Sequence, residues 1–196
     1  MIAGLLMLIF GKKKFIPSYF CKSIYDIDYD KLYDEGCRII LTDLDNTLIS
    51  YKEDMPHDKI FAWKKMLEDK GFTICIVSNS GSDRVKNFAS AINLAYNPSS
   101  MKPLKKGFKK VKKRFSIQDK KSVLVIGDQI LTDILGGNRM GFNTALIEAI
   151  DRSTERKCTR FNRYFERKVV KKINKKYKDG VLKDYVCWFI LYWLWS

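Results

Sequence analysis

Asp43 and Asp45 stand two residues apart where the apolar run Ile39-Ile40-Leu41 ends, and Thr47 follows two further on. Three other apolar stretches lead to polar residues in the same way. Ser78-Asn79-Ser80 follows ICIV, Lys102 follows INLAYNP, and Gly127-Asp128 follows LVI, with Asp133 shortly after. These are the residue types of phosphoryl transfer. Asp43 is the candidate nucleophile, forming an aspartyl-phosphate. Asp45 is the candidate acid that protonates the leaving oxygen and then the base that takes a proton from water. Ser78, Asn79 and the N–H groups that follow them are candidates to hold phosphate oxygens at a helix start. Lys102 would neutralise the nucleophile and the transferring group.

Crowded carboxylates need a counter-charge. Two unit charges about 4 Å apart cost several kcal/mol even at an intermediate effective dielectric. A hard divalent ion with oxygen ligands offsets this, and Mg2+ suits a site of carboxylates, a backbone carbonyl and waters. The candidate ligands are an Asp43 oxygen, the backbone carbonyl of Asp45, and Asp128, with Asp133 orienting the ion's shell. Asp43 and Asp45 sit side by side if the strand stays extended, or spread around a turn if it does not; both geometries allow the division of labour.

These residues lie 24 to 35 positions apart, so the fold must bring them together. IILT, ICIV and LVIG are continuously apolar, the mark of strands covered on both faces. Segments of helical period alternate with them: HDKIFAWKKMLEDKG, SDRVKNFASA, PLKKGFKKVKKRF and LTDILGGNRMG. Such alternation predicts an α/β fold, a three-layer sandwich with a central parallel sheet. In an open parallel sheet, ligands bind beyond the carboxyl ends of the strands, where all the polar groups above would meet.

DLDNT, SNS, KP and GDQILTD, in this order and each after its own strand, resemble the four motifs of the haloacid-dehalogenase (HAD) superfamily. The resemblance is closest to the subfamily IIIA phosphatases of the YqeG type. It extends over FIPSYFCKSIYDIDYDKLYDEGCRIILTDLDNTL, VIGDQILTDILGGNRMGFNTALI and RFNRYFER, from about Phe15 to about Lys168. It implies a Rossmann-like fold, Mg2+ dependence and phosphomonoesterase activity. Carried over by position, it gives Asp43 as nucleophile, Asp45 as acid/base, Ser78 and Lys102 as phosphate contacts, and Asp128 and Asp133 as the acids of the last motif. The gaps of 30 residues before SNS and 21 after it are too short for a folded cap domain. An open site suits a large substrate or one presented at a surface.

Residues 15–150 are therefore expected to form the catalytic core, with 1–14 an apolar and basic extension and 151–196 a basic amphipathic helix with an aromatic tail. Residues 151–184 hold 13 Lys or Arg against 5 Asp or Glu. Phe161, Tyr164, Phe165, Val169, Ile173 and Tyr177 recur at helical spacing, giving one apolar and one basic face. That face could lie on a membrane or pack on the core. MIAGLLMLIF and YVCWFILYWLW are too short to span a bilayer as helices and read as interfacial anchors.

The net charge is +15, which favours anionic partners: a phosphorylated substrate, an acidic membrane surface or nucleic acid. No RNA-binding motif accompanies the charge. A homo-oligomer is left open. The five cysteines are odd in number and lack CxxC spacing, and His57 is the one histidine. A zinc site is not expected, and free thiols point to a reducing cytoplasm.

The resemblance extends to phosphatases that convert phosphatidylglycerophosphate to phosphatidylglycerol. The first expectation is therefore a lipid phosphate phosphatase, cytoplasmic and peripheral on the inner face of the cell membrane. The alternatives are a soluble nucleotide or sugar phosphate phosphatase and a basic RNA- or ribosome-associated protein. His57, near a helix start, reads as a surface or capping residue. Arg84 and Lys86, after the SNSGSD stretch, could guide an anionic substrate, but they read first as a solvated helix face.

Overall fold

The computed structural model describes residues 10–176. Its centre is a six-stranded, all-parallel sheet in the order β1-β6-β5-β2-β3-β4. The strands are β1 (Tyr19–Cys21), β2 (Ile39–Thr42), β3 (Thr73–Val77), β4 (Ala95–Asn97), β5 (Val123–Gly127) and β6 (Asn143–Ile147). The helices are α1 (Tyr29–Asp34), α2 (Asp58–Asp69), α3 (Ser82–Ala91), α4 (Lys105–Arg114), α5 (Leu135–Met140) and α6 (Lys157–Lys176). This is the expected three-layer α/β arrangement with a parallel sheet. The sequence reading missed β1, a three-residue edge strand whose polar flanks give it no apolar run.

Strand alternation sorts the core into two faces. Ile40, Ile74, Ile76, Leu124, Ile126 and Ile147 point to one side, where α1, α2 and α3 cover them with Tyr29, Leu32, Ile60, Trp63, Leu67, Val85 and Phe88. Leu41, Cys75, Val77, Val123 and Val125 point to the other, against Phe108 and Val111 of α4. Both faces of the central strands are dry, which is why these runs are apolar without alternation. A third cluster joins Phe15, Ile130, Leu131, Ile134, Leu135 and Leu146 to Phe165 and Val169 of α6. The C-terminal helix thus packs on the core.

The strand order reverses at β2, which lies between β5 and β3. Thr42 stands opposite Ile126 on one side and Ile76 on the other. Asp43, Ser78 and Asp128 therefore leave the sheet within a residue or two of one another. The crevice beyond the carboxyl ends at such a reversal is where open α/β sheets bind ligands.

His57 occupies the N-cap position of α2 and makes no side-chain cap bond there, in keeping with a surface residue. Among the described residues no helix is long and apolar enough to cross a membrane. The MIAGLLMLI head and the YVCWFILYWLW tail lie outside the described residues.

Gly127 ends β5 because Asp133 needs its space. A Cβ there would come within 2.2 Å of Asp133 Cγ, in a fully buried setting. We expect Gly127→Ala to destabilise the protein by about 1–3 kcal/mol or more, read as a lower urea midpoint. An unchanged midpoint would contradict this packing.

Candidate active site

The loop after β2 sends its two aspartates in different directions. The Asp43 N–H donates to the Ile126 carbonyl at 2.9 Å, extending the β2–β5 ladder by one residue. The chain then turns. Asn46 adopts φ 60°, a left-handed conformation that Asn tolerates well. Its N–H donates to the Ile49 carbonyl at 2.6 Å, and its carbonyl accepts from the Ile150 N–H at 3.2 Å. Its Oδ1 accepts from the Asp151 N–H at 3.2 Å. The turn is thereby tied to the segment after β6.

Asp43 faces Lys102. The Lys102 Nζ lies 2.9 Å from Asp43 Oδ1 and donates to Asp133 Oδ1 at 2.6 Å. Beyond this ion pair the buried Asp43 Oδ1 has no hydrogen-bond partner among the described residues. Asn79 holds the lysine in place. Its Oδ1 accepts from the Lys102 N–H at 2.7 Å, and its Nδ2 donates to the Lys102 carbonyl at 3.0 Å. Asp133 is fixed as well, its Oδ2 accepting from the Gln129 N–H at 3.2 Å and the Thr132 hydroxyl at 3.1 Å.

Asp45 points toward α3. Its Oδ2 accepts from the Ser80 hydroxyl, and its Oδ1 from Arg84 Nε at 2.7 Å. Arg84 also donates to Asp54 at 2.5 Å and to the Ser50 carbonyl at 3.1 Å. Arg84 is thus not the solvated residue expected from sequence: its side chain is largely buried against a site carboxylate. The Ser78 hydroxyl accepts from the Ser80 N–H at 3.1 Å, which shapes the loop leading into α3.

Asp128 is held by the C-terminal helix. Arg163 of α6 donates to Asp128 Oδ2, and its Nη1 donates to the Asp128 carbonyl at 2.6 Å. The same guanidinium bonds Glu155 Oε1 from Nε at 2.9 Å and Nη2 at 2.8 Å, and Glu166 Oε2 at 3.1 Å. Glu166 in turn accepts from the Leu131 N–H at 2.9 Å. The other oxygen of Asp128 has the Thr47 hydroxyl 3.5 Å away. The inward face of α6 is therefore partly ionic. It buries Thr159, Arg163 and Glu166 beside Phe165 and Val169. Phe161 and Tyr164, expected on the apolar face, are 61% and 53% exposed. Of the expected apolar stripe, Phe165 and Val169 face the core while Phe161 and Tyr164 do not, and the inward face also carries Arg163 as the counter-ion to Asp128.

Asp43, Asp45, Ser78, Asn79, Ser80 and Lys102 line one pocket with Tyr51, Gln129, Thr132 and four residues of the α6 region, Arg156, Cys158, Thr159 and Asn162. The Tyr51 hydroxyl lies 3.2 Å from Thr159 Oγ1, and Asn162 Nδ2 donates to Gln129 Oε1 at 3.4 Å. Asp128 and Asp133 are buried behind this lining.

Asp43, Asp128 and Asp133 each offer an oxygen within 4.8 Å of the others. Three buried hard-oxygen donors, one with an uncommitted acceptor, fit a divalent cation. The electrostatics agree. Burial raises Asp43 to about 6, against the pull of Lys102. Burial likewise raises Asp128 to about 6, against the pull of Arg163. Asp133 is also raised by burial. Burial disfavours the charged lysine, but Asp133 and Asp43 outweigh it and hold Lys102 above its usual range.

This crevice brings together two aspartates after one strand, a serine and a lysine after the next two and two more aspartates after a fourth, the set of groups that the four-motif resemblance implied and that suits a phosphatase. Over residues 2–151 the chain matches the family described as mitochondrial PGP phosphatase, and it belongs to that family. It is 35% identical over 165 residues to the probable phosphatase YqeG of Bacillus subtilis (strain 168), covering 84% of this chain and 95% of that one. Solved structures similar to it include a putative HAD subfamily IIIA hydrolase from Legionella pneumophila (TM-score 0.44, 11% identity, 86% of this chain and 94% of that one). Another is a hypothetical protein from Xanthomonas campestris (TM-score 0.49, 15% identity, 66% and 75%).

The raised carboxyls make a pH prediction. With native values near 6 and an ordinary value of 3.8, Asp43 and Asp128 keep protons in the folded state that the unfolded chain releases. Their contribution to stability therefore falls as pH rises through that window. A divalent cation binds the ionised forms, so its stabilisation should grow over the same range. The rise in Tm on adding Mg2+ should be larger at about pH 7.5 than at about pH 5. An equal rise at both would remove Asp43 and Asp128 from the cation site.

Proposed function

We propose that this phosphatase is a Mg2+-dependent phosphomonoesterase acting on phosphatidylglycerophosphate, through an aspartyl-phosphate on Asp43. The observation that carries the reading is the Asp43–Lys102–Asp133 arrangement, with Asp45 on a separate side of the same pocket. The PGP phosphatase family description supports the substrate, as does a pocket over which no folded cap lies among the described residues.

In this reading the terminal phosphoryl group enters the pocket with its oxygens toward the Ser78 hydroxyl, the N–H groups leading into α3, and the Lys102 ammonium. An Asp43 oxygen attacks phosphorus in line with the leaving oxygen. Asp45, oriented by Ser80 and Arg84, delivers a proton to that oxygen. It then takes a proton from the water that cleaves the aspartyl-phosphate, which restores Asp43 and the acid form of Asp45. Asn79 acts by fixing the backbone of Lys102. Asp43, Asp128 and the Asp45 carbonyl would hold Mg2+, with Asp133 orienting its surroundings. When bound, the ion neutralises carboxylate charge and draws negative charge from the phosphoryl oxygens.

The outer face of α6 supports action at an anionic membrane surface. Exposed Phe161 and Tyr164 sit among basic residues, with Lys168 Nζ 4.1 Å from the Tyr164 ring centre. Aromatic and basic side chains together suit a lipid headgroup region. The protein would then be peripheral on the membrane.

The test is phosphate release from phosphatidylglycerophosphate in mixed micelles, a nucleotide monophosphate and a sugar phosphate, each with and without Mg2+. We expect the lipid phosphate to give the highest kcat/KM and chelation to abolish turnover. Asp43→Asn should lower kcat by roughly 10^3-fold or more while the circular dichroism spectrum is unchanged. Undiminished turnover in this variant would rule out Asp43 as nucleophile. Preference for a nucleotide or sugar phosphate would rule out the lipid substrate.

A further inference from the structure

Most cations around the pocket are already committed. Lys102 is paired with Asp43 and Asp133, Arg84 with Asp45 and Asp54, and Arg163 with Asp128, Glu155 and Glu166. Arg156 differs. It lines the same pocket, just before the start of α6. Among the described residues no carboxylate lies within ion-pair distance of it. Its guanidinium instead lies over the Tyr51 ring, 5.3 Å from the ring centre. Tyr51 is itself held by its contact with Thr159. A guanidinium resting on an aromatic ring keeps its edge N–H donors available, and that fork matches a phosphate.

We infer that Arg156, supported by Tyr51, is a specificity-determining residue that binds a second phosphate on the leaving group. The inference rests on the reading above and deepens it. The substrate class is a glycerol-based phosphomonoester that also carries a phosphodiester. When the terminal phosphoryl group sits at Asp43, the leaving alkoxide and the rest of the substrate extend toward the pocket mouth. The diester anion, set off by the glycerol carbons, then meets Arg156. A neutral leaving group gains nothing there. Selectivity therefore arises from a contact remote from the reacting phosphorus, and no cap is needed to supply it. Lys would be a poorer substitute, because a point charge lacks the paired donors.

The experiment compares two water-soluble substrates, so that membrane binding does not enter. One is the deacylated headgroup, glycerophosphoglycerol phosphate, and the other is glycerol 3-phosphate. The wild type should prefer the first in kcat/KM by roughly tenfold or more, the value of one charge-assisted contact. Arg156→Ala should collapse that preference toward one, chiefly through a higher KM for the diester-bearing substrate. Arg156→Lys should restore part of it. Arg156 serving only to pack on Tyr51 would lower both substrates alike and keep their ratio. That result, or a wild type without preference, overturns the inference and leaves the phosphatase reading standing. Failure of the wild type to hydrolyse either substrate, or the intact lipid, overturns the lipid phosphate reading and this inference with it.

Discussion

A lysine ammonium buried between two carboxylates governs this site. Lys102 lies between Asp43 and Asp133, both buried, and each is a charge that the interior does not tolerate alone. Breaking such a pair by removing one partner typically costs about 3–5 kcal/mol, because a bare charge is left behind. The surrounding structure therefore has to deliver all three groups together. Three crossovers of the sheet bring β2, β3 and β5 side by side. Asn79 then fixes the lysine backbone from the end of β3, and Gly127 leaves room for Asp133. The site is an electrostatic balance assembled by a parallel sheet.

The same balance explains the C-terminal helix. Asp128 is buried as deeply as Asp43, yet Lys102 makes no ion pair with it. Its counter-ion is Arg163, which also satisfies Glu155 and Glu166. Once α6 is required to deliver that guanidinium, its preceding turn and first turns necessarily lie against the pocket. Arg156, Cys158, Thr159 and Asn162 become part of the lining as a consequence. Among the described residues, this helix shapes the side of the pocket away from the sheet. Burying an ion cluster costs desolvation that hydrophobic packing would avoid. The return is a preformed carboxylate constellation, which is the larger part of catalysis in phosphoryl transfer.

The sheet and the residues at its carboxyl edge were legible in the sequence because both rest on local patterns. Apolar runs of four or five residues mark buried strands, and each ended in a group of unusual chemistry. Strand β1 was not legible, since an edge strand of three residues has little to bury. Arg84 was misread because nothing local says that Asp45 turns toward it. The inward face of α6 was misread for a related reason. Phe161 and Tyr164 share a helical stripe with Phe165 and Val169, so periodicity alone joined them. Glu155, Thr159, Arg163 and Glu166 also recur at helical spacing, but a charged stripe reads as solvated until the buried Asp128 opposite it is known.

The central claim is that Asp43, charged and held by Lys102, becomes covalently phosphorylated. The direct measurement is acid quench of the enzyme mixed with substrate and Mg2+ within one turnover, followed by proteolysis and mass spectrometry. The account predicts phosphate on the peptide carrying Asp43, removed by hydroxylamine as an acyl phosphate is, and absent from Asp43→Asn. Full single-turnover release of phosphate with no phosphorylated peptide at any quench time would contradict it.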